Sequence, residues 1–87
     1  MSMDLVWRVV PPDRLLDEAH DLAQRLLQGA PLAQRATKEM AARGPKLPWE
    51  DAVRFGESMR RVVAGSADAR EGLAAAAERR PPRWQGR

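Results

Sequence analysis

The ten residues ERRPPRWQGR (Glu78–Arg87) hold four arginines, two prolines, a tryptophan and a glycine. Guanidinium groups pair with phosphate or carboxylate in a forked geometry, and an indole stacks on a planar base or on a guanidinium. Arg79, Arg80, Arg83, Trp84 and Arg87 therefore compose a candidate anion clamp. Pro81 and Pro82 force an extended exit and lower the entropic cost of ordering it. The competing reading is a disordered basic terminus.

Other chemistry is sparse. His20 is the sole histidine and stands among charged residues on the polar side of an amphipathic stretch, where plain exposure is expected. Ser2, Ser58 and Ser66 have no base nearby, and Ser66 reads better as a helix cap. Acid pairs such as Asp17/Asp21 and Glu50/Asp51 belong to solvated helix faces. There is no cysteine, no glycine-rich phosphate loop and no metal-ligand spacing, so local motifs give neither a catalytic residue nor a cofactor or metal site.

Charge is unevenly placed. The net charge is +3, yet the four arginines of 79–87 leave 11 basic and 12 acidic side chains before them. A duplex-binding protein spreads its basic residues along one face, so nucleic acid is a poor fit. Apolar runs fall well short of the roughly 18 residues of a membrane span, and no signal-peptide pattern opens the chain. A soluble, cytoplasmic protein is the expectation.

At 87 residues one domain is the upper bound. Fifteen of the 38 hydrophobic residues are alanine, leaving 23 larger side chains for a core. Such a core is marginal, which suggests stabilisation by a partner surface.

The elements that must carry the arm follow from periodicity. LVWRVV (Leu5–Val10) is β-rich and too short for a helix; it reads as one strand, either packed along a helix here or belonging to a sheet outside this chain. Four helices follow, over about 13–28, 31–43, 48–64 and 67–80. The first has Asp13 as candidate N-cap and a 3.6-residue stripe of Leu15, Leu16, Ala19, Leu22, Ala23, Leu26 and Leu27. Replacing Leu22 or Leu26 with Ala should then cost about 2–5 kcal/mol. Pro31 starts the second and Gly44-Pro45 stops it. The third is expected to face Trp49, Ala52, Val53, Met59, Val62 and Val63 inward, with Gly56 marking a close approach. Ser66 or Asp68 caps the fourth, whose apolar face is only Leu73 and alanines.

Taken in series, these segments resemble the C-terminal third of the enoyl-CoA hydratase/isomerase (crotonase) superfamily. The pieces are Leu5–Pro11, the long helix Asp13–Gln28, PLAQRATK (Pro31–Lys38), LPWEDA (Leu47–Ala52), DAREG (Asp68–Gly72) and the tail Glu78–Arg87. They cover essentially the whole chain in the family's order. Asp4 stands where the family has Gly, Trp84 where it has Phe, and Ala69 and Ala76 where it has bulkier residues.

The resemblance implies an all-α, four-helix module with one short N-terminal strand. Residues 1–10 would be the closing strand of a spiral core, 11–80 the helical domain and 81–87 the basic aromatic tail. It implies enzymes acting on acyl-CoA thioesters in fatty-acid metabolism, by hydration or isomerisation, whose oxyanion-hole amides and catalytic carboxylates lie in a core preceding this segment. This stretch would contribute oligomer contacts and part of the acyl-CoA pocket, with no catalysis of its own. Arg79, Arg80, Arg83, Trp84 and Arg87 become candidate contacts to the CoA nucleotide, and the partners a second copy or a crotonase-fold chain. A fragment, a truncated or split gene product and a standalone self-associating or partner-binding protein are all compatible with the sequence. A weak nucleic-acid binder is the least favoured alternative.

Overall fold

The computed structural model describes residues 5–87. Residues 1–4, including Asp4 and the beginning of the expected strand segment 1–10, lie outside the described residues. Four α-helices follow one another: α1 (Leu15–Leu26), α2 (Pro31–Arg43), α3 (Trp49–Ala64) and α4 (Ala67–Glu78). Short 3-10 turns precede α1 (Pro12–Arg14) and join α2 to α3 (Gly44–Lys46).

The expected strand is corrected. Residues 5–10 form no strand, because no second strand among the described residues offers backbone groups to pair with. The segment instead lies against α1. Arg8 reaches Glu18 at 2.7 Å, and Trp7 and Val10 border a small hollow with Leu15, Ala19 and Leu22.

Helix ends depart from expectation for local reasons. Asp13 is no cap: it sits inside the 3-10 turn that Pro12 opens, and Arg14 takes the N-cap position of α1 without a side-chain bond. Ser66 does cap α4, its Oγ accepting from the Ala69 amide at 3.1 Å. That helix ends at Glu78, since Arg79 adopts the left-handed conformation (φ 55°, ψ 44°) and reverses the chain. The Arg80 amide then reaches back to the Ala75 carbonyl at 3.0 Å.

The helices do not close around a core. The principal extents are 43 × 40 × 18 Å and the radius of gyration is 16.5 Å, against about 12 Å for a compact domain of this length. Among the described residues only Ala36, Ala75 and Asp68 are buried. The stripe of α1 and the apolar face of α3, expected inside, lie largely open, with Leu16, Leu27, Trp49 and Val62 exposed. The tightest helix pair is the α2–α3 hairpin, where Ala36 is buried and a β-carbon at Gly56 would come within 3.4 Å of Met40 Sδ. The short linkers keep neighbours together but leave a flat arrangement of helices with many apolar side chains uncovered.

This exposure reverses one energetic expectation. Leu26 is already 54% exposed, so Leu26→Ala in this chain should cost about 1 kcal/mol or less rather than the core value. Ala36→Leu, which overpacks the one tight helix contact, should cost about 1–3 kcal/mol. Urea unfolding of the two variants checks the order.

Candidate functional site

The basic tail is not a loose arm. Pro81 and Pro82 extend the chain, and it runs back along α4 as a strap. α4 has 12 residues and is therefore about 18 Å long. Residues 81–87, extended at about 3.1 Å each, span about 22 Å. The strap thus reaches from the C-terminal end of α4 to its N-terminal end, and the hydrogen bonds show that it does.

Two carboxylates of α4, one turn apart, receive it. Asp68 is 2% exposed. Its Oδ1 accepts from the Gln85 amide and its Oδ2 from the Gly86 amide, each at 2.7 Å. Its own amide, one of the orphan donors of a helix N-terminus, donates to the Arg87 backbone oxygen at 2.8 Å. Gly86 permits this wrap through its positive φ of 74°. Glu71 accepts from the Arg83 amide at 2.9 Å and, through both oxygens, from the Arg80 guanidinium at 2.5 and 3.2 Å. Arg80 also donates to Glu78. The Arg80 guanidinium first, and the Arg83 amide next, hold the Glu71 carboxyl down at about 2 from its usual 4.5. Glu71, then Glu78, pushes the Arg80 guanidinium further up.

Trp84 completes the dock. A β-carbon on Gly72 would lie 3.3 Å from its ring, so that glycine is the space the indole occupies on α4. On its other edge Nε1 donates to the Gln28 carbonyl at 3.1 Å, tying the strap to the α1–α2 loop. Between loop and strap opens a cleft of about 470 Å³ whose rim includes Leu27, Arg35, Trp84 and Gln85.

The five sequence candidates therefore divide. Arg80 and Trp84 are engaged inside the molecule. Arg79, Arg83 and Arg87 are exposed, and of these the Arg87 side chain bonds Gln85 at 3.0 Å. Asp68, Glu71 and Gly72 were read only as parts of a motif or as a cap. Their role has a legible signal: a carboxylate pair at i and i+3 facing a tail that carries four arginines. His20 lies exposed on α1. Among the described residues no group of acidic or histidine side chains could hold a metal ion, and no helix is long and apolar enough to cross a membrane.

The family model for enoyl-CoA hydratase/isomerase matches residues 1–87. The chain belongs to the enoyl-CoA hydratase/isomerase family. Carnitinyl-CoA dehydratase of Salmonella arizonae is 43% identical over 86 residues, covering 94% of this chain and 33% of the relative. An enoyl-CoA hydratase of Mycobacterium tuberculosis H37Rv superposes with a TM-score of 0.93 at 34% identity, covering 99% of this chain and 34% of that one. An enoyl-CoA hydratase/isomerase of Mycobacterium paratuberculosis gives 0.90 at 37% identity, with 99% and 34% covered. The chain spans about a third of the length of these relatives. Its helical architecture is that of the C-terminal helical domain of the enoyl-CoA hydratase/isomerase fold.

Two measurements test the dock. Because the folded Glu71 carboxyl titrates at about 2 and the free one at 4.5, its stabilisation is complete above pH 4.5 and disappears as pH falls toward 2. The Trp84 indole N–H resonance should therefore hold its neutral-pH position down to about pH 4.5 and move below it. Gly72→Ala, which in an open helix would gain about 1 kcal/mol, should instead displace that resonance, because the indole is pinned at Gln28 and cannot retreat.

Proposed function

We propose that the chain acts as the helical C-terminal part of an acyl-CoA-handling protein of the enoyl-CoA hydratase/isomerase family. It covers the acyl-CoA pocket and supplies subunit contacts, and it is not catalytic alone. Carbonyl polarisation and proton transfer need preorganised donors and a positioned acid or base, and the motifs that would supply them are absent from these 87 residues. The observation that carries the reading is the exposure of the apolar residues of α1 and α3. A third of a family protein that leaves such faces uncovered is built to lie on the remaining two thirds and on neighbouring subunits. A soluble, cytoplasmic metabolic setting goes with this reading.

A CoA thioester is the proposed ligand, in keeping with the carnitinyl-CoA dehydratase relative. Arg79, Arg83 and Arg87 contribute guanidinium groups toward its phosphates, and Arg80 and Trp84 shape the strap that presents them. Arg79 stands exposed at the end of α4. It occupies a left-handed backbone position where a side chain costs roughly 1 kcal/mol and glycine nothing.

A relative truncated by its matching third, mixed with this chain, tests the assembly reading. The two should co-elute and regain acyl-CoA turnover. A chain that associates only with itself and restores nothing would favour the standalone interaction protein. Arg79→Gly tests the ligand reading by a split in sign: melting unchanged or raised by up to about 1 kcal/mol of stability, with coenzyme A binding weakened several-fold. Equal binding by the variant would remove Arg79 from the site.

A further inference from the structure

The strap and α4 form a closed circuit of polar bonds that the family reading does not require. The buried Asp68 carboxylate takes two consecutive strap amides, Gln85 and Gly86, while its own amide takes the Arg87 oxygen. One turn later Glu71 takes the Arg83 amide and the Arg80 guanidinium. A single carboxylate could hold a strap that still slides. Two of them, at i and i+3, gripping amides two or three residues apart, admit one register only. The strap also does what helix packing does not. α4 makes few contacts with the other helices, and the Trp84–Gln28 bond joins residues 56 positions apart across that gap.

We propose that Asp68 and Glu71 are positioning residues: together they lock the strap in one register on α4, and the locked strap, through Trp84, holds α4 to the α1–α2 loop. The strap's exposed arginines are thereby held at fixed places toward an anion of the nucleoside-phosphate class. That last step rests on the CoA reading above; the lock itself does not. The chemistry suits the task. Backbone amides are donors whose spacing cannot vary, and a carboxylate excluded from water makes each such bond stronger than a neutral acceptor would. Asparagine at 68 would turn an NH2 toward one of the amides it must accept from, so Asp68→Asn removes one grip with almost no change of volume. Glu71→Gln can keep an oxygen on the Arg83 amide but turns its NH2 toward the Arg80 guanidinium, so the charge and the forked pairing that fix the second grip are lost.

The test uses the full chain in three forms: unmodified, Asp68→Asn and Glu71→Gln. Hydrogen exchange at the Gln85 and Gly86 amides and the Trp84 indole resonance report the lock, and titration with coenzyme A reports its consequence. In the unmodified chain the two strap amides should be protected. Each variant should speed their exchange at least tenfold, shift the indole and the Gln28–Gly29 loop signals together, and weaken coenzyme A about tenfold. Amides of the α2–α3 hairpin should stay unchanged. Unprotected strap amides in the unmodified chain, or protection that survives both substitutions, would overturn the lock. A loosened strap with undiminished coenzyme A affinity would overturn its positioning role. No coenzyme A binding by the unmodified chain would contradict the ligand reading, and the exchange data would then decide the lock by themselves.

Discussion

Too few large apolar side chains meet one another in this chain for it to close a core, and the rest of the architecture follows from that constraint. Hydrophobic burial is the main favourable term in folding, and among the described residues the only fully buried apolar side chains are Ala36 in the α2–α3 hairpin and Ala75 of α4. α1 carries the strongest amphipathic stripe in the sequence and buries none of its residues. The chain is flat, leaves these apolar residues exposed, and spans about a third of the length of its relatives.

Where apolar burial is thin, polar bonds with fixed geometry hold the elements in place. The clearest instance is the strap. Its extended prolines prevent a helix, the left-handed Arg79 turns it back, and Asp68 and Glu71 accept its amides in order. Buried polar groups are costly unless satisfied, and among the described residues no buried side-chain polar atom lacks a partner. The polar bonds between strap and α4 are therefore fully satisfied, and the basic tail lies as a bonded edge along that helix.

Much of this was legible beforehand, and the misses share one cause. Helix periodicity, Pro31 at a helix start, Ser66 at a cap and Gly56 at a close contact are local signals, and each matches the structure. The family resemblance rested on motifs in series, and the family match bears it out. What local signals cannot report is the partner. Leu5–Val10 has the composition of a strand but no neighbour to pair with, and Leu16 or Val62 has the spacing of a core residue but no opposing layer. The tail adds partners that its composition does not name. Arg80 is answered by Glu71 and Glu78, and Trp84 by Gly72 and Gln28. The glycine and carboxylates of DAREG make sense only when the strap is laid over them.

The central claim is that the α1 and α3 faces are interfaces rather than surface. Amide hydrogen exchange over Leu15–Leu26, in this chain alone and in a chimera that joins it to the first two thirds of the M. tuberculosis relative, tests it most directly. Rapid exchange is expected in α1 of the isolated chain and at least hundredfold slowing in the chimera, with the α2–α3 contact changing much less. Equal and strong protection of α1 in both would show that the chain covers its own apolar face, and would contradict the account.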